Sequence, residues 1–314
     1  MGVDGPRLAR LALVAAALLL PPAVEAQRYA FKLYGQQEGL RNLAIHCLLQ
    51  DRTGFLWVGT QNGLFRYDGR RFRRFAKAEG LPSSRIEALH ETADGTLWVA
   101  TRSGLARLER ERFRLAELDG PYEILGHAGL DSDRLGRLYV GTGRGLYVGE
   151  PTPQGRRFRS LPLPDSTTPD IYGVHVDPQG VVWFGCGQQL CRLEEGRVAV
   201  VGDDPLLHRE RWDAIRTDRA GTLWIRSSRR LLARPARAPR FLARDQGLPV
   251  SSDFGELFLD HNGKLFVPTD LGVATREGQT WRRIGAAQGL PADSTSCMYQ
   301  DREGSLWVGL LGAG

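Results

Sequence analysis

A nine-residue pattern returns seven times along this chain, and a repeat of that length and regularity admits few folds. The segments are 51–59, 92–100, 133–141, 177–185, 218–226, 260–268 and 301–309. Each carries a glycine at its fourth position and an aromatic three residues later: Trp57, Trp98, Tyr139, Trp183, Trp224, Phe266 and Trp307. The aromatics are spaced by 41, 41, 44, 41, 42 and 41 residues, the period of one four-stranded propeller blade.

The local chemistry within a period is that of strands and tight turns. In the first repeat, 44–50 reads as an apolar strand and Asp51-Arg52-Thr53-Gly54 as a turn, with 55–60 as the second strand. Asn62-Gly63 and Asp68-Gly69 then read as two-residue hairpin reversals, around a third strand over 64–67 and a fourth over 71–75. Beyond the N-terminal leader no segment keeps an apolar pattern at helical spacing, so almost no helix is expected. The predicted fold is all-β: a seven-bladed β-propeller of four-stranded antiparallel blades whose last blade is incomplete. Aligning Trp307 with Trp57 sets Gly314 opposite Leu64, so the third strand of that blade is expected to be missing, and 29–34 is a candidate for its fourth.

The recurring aromatic is expected to fill the gap between neighbouring blades as core, and the recurring aspartate and glycine to make the turn; neither set reads as a catalytic or metal constellation. The six histidines, His46, His90, His127, His175, His208 and His261, show no metal-ligand spacing and are read at unrelated phases of the repeat. No metal, no cofactor and no catalytic residues are expected in this segment.

Arg7 and Arg10 precede an apolar run over 11–20, followed by Pro21, Pro22 and a small-residue site ending at Ala26. That is the layout of a cleaved signal peptide over 1–26, with the propeller occupying 27–314; the run is short for a membrane anchor, which needs roughly 20 apolar residues. The expected location is therefore periplasmic or extracellular. Hydrophobic residues at 42% and charged ones at 25% suit a folded domain, and export makes nucleic acid an unsuitable partner for the net charge of +6. In an exported chain, Cys186 and Cys191, flanking a hairpin turn, can bridge if the turn brings their Cβ atoms close enough, whereas Cys47 and Cys297 read as buried thiols.

The runs Gly54-Phe-Leu-Trp-Val-Gly-Thr-Gln-Asn-Gly-Leu-Phe-Arg-Tyr-Asp68 and Asp301-Arg-Glu-Gly-Ser-Leu-Trp-Val-Gly309 resemble the two-component regulator propeller repeats. So do Glu79-Gly-Leu-Pro-Ser-Ser84, Gln246-Gly-Leu-Pro249 and Gln288-Gly-Leu-Pro291. The resemblance covers the chain after residue 28 and weakens in repeats three to six. It implies the periplasmic sensor region of a large membrane receptor, usually two propellers and a small sandwich domain ahead of one membrane helix and a histidine kinase, hybrid kinase or diguanylate cyclase output. On that basis the chain is expected to be a fragment of a longer receptor, meeting the membrane only through downstream segments, and homodimerisation is what the family suggests. A secreted binding scaffold and a propeller lyase or glycosidase are the alternatives.

One geometric lead points to a ligand. Turns between second and third strands share a face with the blade connections, around the channel mouth. That face is expected to carry Gln61, Asn62, Arg102, Ser103, Arg144, Gln188, Arg226, Arg229 and Asp270. Four arginines there favour a small-molecule or oligosaccharide ligand that is anionic, because guanidinium pairs with carboxylate in a bidentate way.

Overall fold

The computed structural model describes residues 29–312 apart from 42, 43, 121, 154 and 203, so the expected signal peptide lies outside the described residues. Six antiparallel four-stranded sheets and one two-stranded sheet follow one another along the chain. The first consists of Ile45–Gln50, Leu56–Thr60, Gly63–Tyr67 and Phe72–Phe75 in meander order, within one residue of the expected bounds. Among the described residues helix is confined to four single 3-10 turns, and none is long and apolar enough to cross a membrane.

Side-chain alternation on these strands leaves both faces of each sheet apolar, so the core forms between sheets. Trp57, Leu64 and Phe75 of the first sheet pack on Ile86, Leu97 and Val99 of the second. Burial is complete for the recurring aromatic in the four-stranded sheets, from Trp57 to Phe266, but Trp307 in the two-stranded sheet is only half-buried. The aspartate that opens each turn ties it to this ring. In the first sheet one oxygen of Asp51 accepts from the amides of Thr53 and Phe55, and the other accepts from the Trp57 indole at 2.6 Å. The same indole bond recurs at Trp183, Trp224 and Trp307, each at 2.8 Å.

The second repeat has Thr92 in place of the aspartate, and the buried Trp98 indole N–H is left without a partner. Asp94 takes over the turn, accepting from the Thr96 amide and the Thr92 hydroxyl. Thr92→Asp, made with Asp94→Asn to avoid a like-charge pair, restores the missing acceptor. It should stabilise the fold by about 1 kcal/mol, seen as a rise of roughly 2 °C in Tm by differential scanning calorimetry.

The second-to-third-strand reversals are built differently from the hairpin expectation. Thr60 pairs with Gly63, so the two turn residues are Gln61 and Asn62, and neither has a positive φ. The Thr60 hydroxyl accepts from the Asn62 amide and donates to the Gly63 carbonyl, while Gly63 takes the left-handed backbone at φ 131°. Threonine bonds the glycine three residues on in the same way at Thr101, Thr142 and Thr269. The hydroxyl thus does the work that an Asn-Gly turn does with two positive-φ residues.

The two-stranded sheet, Thr295–Gln300 with Leu306–Leu310, packs back on the first sheet and closes the ring. Ser296 Oγ donates to the Ile45 carbonyl at 2.5 Å, and Arg302 donates to the carbonyls of Asp51 and Arg52 at 2.7 and 2.9 Å. The 29–34 segment forms no strand; Tyr34 instead lays its ring 5.0 Å from that of Trp307, and both line an apolar cavity of about 580 Å³. A fourth strand needs a third to pair with, and among the described residues none lies there.

The glutamate or glutamine of the Glu/Gln-Gly-Leu element caps a single 3-10 turn. Glu38, Glu79 and Gln288 accept the amides of Gly35, Ala76 and Gly285 at 2.8, 2.7 and 2.9 Å, and the following Leu40, Leu81 and Leu290 are buried. These turns set the course of the blade connections. Cys186 and Cys191 form a disulfide across their hairpin, and Cys47 and Cys297 are buried free thiols.

Candidate functional site

The first strands of successive sheets pack against one another and so surround the ring axis. His46, Glu87, Tyr172 and Asp213, each five positions before its turn, put their side chains among the contacts there, and His127 joins them from six positions before its own turn. Contacts between blades that are not neighbours show that the axis is filled. His46 stacks on His127 with ring centroids 4.6 Å apart, linking the first and third sheets. His127 in turn lies 4.6 Å from Phe254, which also faces Tyr172 at 6.2 Å.

Charged groups are woven through this plug. Arg85 Nε donates to Glu87 Oε1 at 2.8 Å. Arg211 lies 4.7 Å over both Tyr172 and Phe254 and donates from Nε to Asp213 Oδ1 at 2.6 Å. The other oxygen of Asp213 accepts the Gly255 amide of the next blade at 3.0 Å. Burial sets the protonation states. It holds the His46 imidazole below its usual range and His127 well below it, and it raises the carboxyls of Asp213 and Glu256. His127 Nε2 and Glu87 Oε2 lie 3.6 Å apart, and burial favours the neutral imidazole over an ion pair there.

The turns expected to share a face with the blade connections do so. The Gly63 amide donates to the Ser84 carbonyl at 2.7 Å, and the Arg102 amide to the Arg85 carbonyl at 3.0 Å. Gln61, Asn62, Arg102, Arg144 and Arg229 are all exposed on this face. Arg102 pairs with Glu123 at 3.0 Å, and Asn62 receives Arg74.

Arg226 is a correction. It sits within the strand Leu223–Arg226 and is fully buried, with one nitrogen donating to Ser251 Oγ at 2.9 Å and Nε and Nη1 unpartnered. Burial lowers its pKa to about 10. Its place in the repeat is held elsewhere by Gly59, Ala100, Gly141 and Gly185. Room for the longer side chain comes from Gly255 opposite, where an added Cβ would sit 2.8 Å from Arg226 Cγ.

The histidine reading also needs revising. His90 and His175 share a phase, each reaching a hydroxyl of the next blade, Ser132 at 2.8 Å and Thr217 at 3.0 Å. His46 and His127 meet on the axis. A concavity of about 840 Å³ opens on the connector face beside the axis, lined by Thr168, Asp170, Tyr172, Gln188, His208, Arg209 and Arg211. Of these, sequence reading placed only Gln188 on this face; Tyr172 lies in the strand Ile171–Val176, and Thr168, Asp170, His208, Arg209 and Arg211 lie in segments between strands that the repeat motif does not cover.

The family profile described as the two component regulator propeller matches residues 39–62, 80–103 and 289–312. Each window runs from a Gly-Leu connector through two strands to the following turn. Those three segments are where the chain is similar to the two component regulator propeller. The propeller superimposes on the extracellular domain of a putative hybrid two-component system from B. thetaiotaomicron, with a TM-score of 0.73, 21% identity and coverage of 90% of this chain and 41% of the other. A second such domain from the same organism gives 0.70 at 20% identity, covering 90% and 39%. The chain thus spans about two-fifths of those domains. Virginiamycin B lyase from Staphylococcus aureus shares the fold at a TM-score of 0.66 and 12% identity, over 86% of this chain and 93% of the lyase. No curated protein matches the sequence.

Proposed function

We propose that this propeller is the seven-bladed, extracytoplasmic ligand-sensing part of a two-component-type receptor, non-catalytic in itself, with the two-stranded sheet counted as its seventh blade. The observation that carries this reading is the joint occurrence of the family's repeats and a ring closed by Arg302 and Ser296. The leader over 1–26 and the likeness to extracellular domains support an extracytoplasmic site of action. Resemblance to a lyase at 12% identity speaks to the fold and carries no chemistry.

The ligand is anionic and taken on the connector face. Arg102, Arg144 and Arg229 stand exposed there, and Arg209 and Arg211 line the concavity beside the axis. Guanidinium groups spaced around a mouth suit a polyanion such as an acidic oligosaccharide better than a neutral one.

Isothermal titration of the purified protein with uronic-acid and sulfated oligosaccharides tests this. Saturable binding is expected for an acidic oligosaccharide. The double variant Arg102→Ala, Arg144→Ala should weaken it by roughly 10-fold or more, since each lost charge-assisted contact is worth about 1.5–3 kcal/mol before solvent screening. Equal affinity in the variant, or binding of neutral oligosaccharides alone, would sink the anionic reading.

A further inference from the structure

Three side chains from different blades, far apart in sequence, meet at the axis with lone pairs that the protein does not use. His46, Glu87 and His127 each offer one ligand atom, and the three atoms lie within 4.8 Å of one another. All three residues are buried, and the Glu87 and His127 side chains are 0% and 2% exposed. Glu87 Oε2 and His127 Nε2 have no hydrogen-bond partner. Polar atoms left without a partner in a desolvated site cost stability unless a ligand satisfies them.

The surrounding contacts have the form of a ligand-orienting shell. The Ile86 carbonyl accepts from His46 Nδ1 at 2.8 Å, which places the ring proton on Nδ1 and leaves Nε2 as the free nitrogen. Arg85 holds Glu87 by Oε1 alone and leaves Oε2 free. The His46 and His127 rings stack 19° from parallel, and because each lone pair lies in its ring plane, one ring must turn out of the stack for both to reach a common ion.

We propose that His46, Glu87 and His127 form a binding site for one divalent transition-metal ion, of the zinc class, on the axis of the ring. Two imidazoles and one carboxylate are the donor set that suits zinc and its neighbours, whereas calcium and magnesium prefer all-oxygen shells. Bonds of about 2.0–2.1 Å set tetrahedral donors about 3.3 Å apart, so the three atoms draw in by about an ångström and one imidazole turns out of the stack. Three protein donors leave a fourth position for water or for a group of a bound ligand. The site stands independently of the sensor reading.

The test uses the purified protein stripped with chelator and titrated separately with Zn2+ and Co2+. One equivalent of Zn2+ is expected to bind and raise Tm, and Co2+ should give the visible d–d absorption of a low-symmetry site with nitrogen ligands. Glu87→Gln and His127→Gln should each lose stoichiometric binding and the Co2+ spectrum, while His208→Gln, on the connector face, should keep both. Circular dichroism of the metal-free proteins separates loss of the site from loss of the fold. If one variant fails to fold, the other carries the comparison, and the stoichiometry and spectrum of the unaltered protein stand regardless. No stoichiometric binding to the unaltered protein, retained binding in both folded variants, or an equal Tm rise with Mg2+ or Ca2+ would overturn the proposal.

Discussion

Trp57→Ala is expected to destabilise the protein by about 3–5 kcal/mol and to lower Tm by roughly 6–10 °C, the largest effect of any blade aromatic. The ring has no exposed surface, packs on Phe75 with centroids 5.3 Å apart, and supplies the indole that satisfies Asp51 Oδ2. Truncation therefore opens a cavity between two blades and strips a buried carboxylate of its donor at once. Trp307→Ala is the comparison. It removes the same indole bond, to Asp301, but its ring is only half-buried beside the cavity of about 580 Å³, so the loss should be clearly smaller. Equal losses in the two variants, measured by thermal or urea unfolding, would mean that burial between blades does not set the energetics of this ring.

Asp213→Ala should cost about 3 kcal/mol, through polar satisfaction rather than packing. Asp213 joins two blades: one oxygen holds Arg211 at 2.6 Å and the other accepts the Gly255 amide at 3.0 Å. Without it the Gly255 amide is orphaned in a buried place, and Arg211, stacked over Tyr172 and Phe254, loses its anchor at the edge of the connector-face concavity. Part of the Arg211 term is offset by water, since that side chain is 37% exposed. Asp213→Asn keeps an acceptor for Gly255 and should recover roughly half of the stability. Unfolding of the two variants checks this, and an alanine variant as stable as its parent would contradict it.

Much of the fold was legible because the repeat encodes local chemistry. Strand bounds in the first blade followed from turn residues and apolar runs, and the buried aromatic followed from its period. The reversals were placed one residue late because a glycine after asparagine suggested a two-residue turn, whereas the threonine hydroxyl two residues before Asn62 sets the register. Arg226 was put in a loop one residue too early; it ends its strand, and the turn begins at Ser227, whose hydroxyl accepts the Arg229 and Arg230 amides.

The axis was harder to read. Its residues occupy one column of the repeat, yet His46, Glu87, Tyr172 and Asp213 are of mixed chemical type, and His127 falls one position off that column. A column that varies looks like noise until the ring brings side chains of separate blades into contact. The connector concavity had no signal, because His208, Arg209 and Arg211 lie outside every motif match.

The sensor reading is tested most directly by locating the native polypeptide. An antibody raised against the propeller, applied to fractionated cells of the source organism, should detect a membrane-associated band well above 34.8 kDa, accessible from outside the cytoplasm. A soluble, secreted band at or below 34.8 kDa would contradict the receptor reading and leave a free binding propeller.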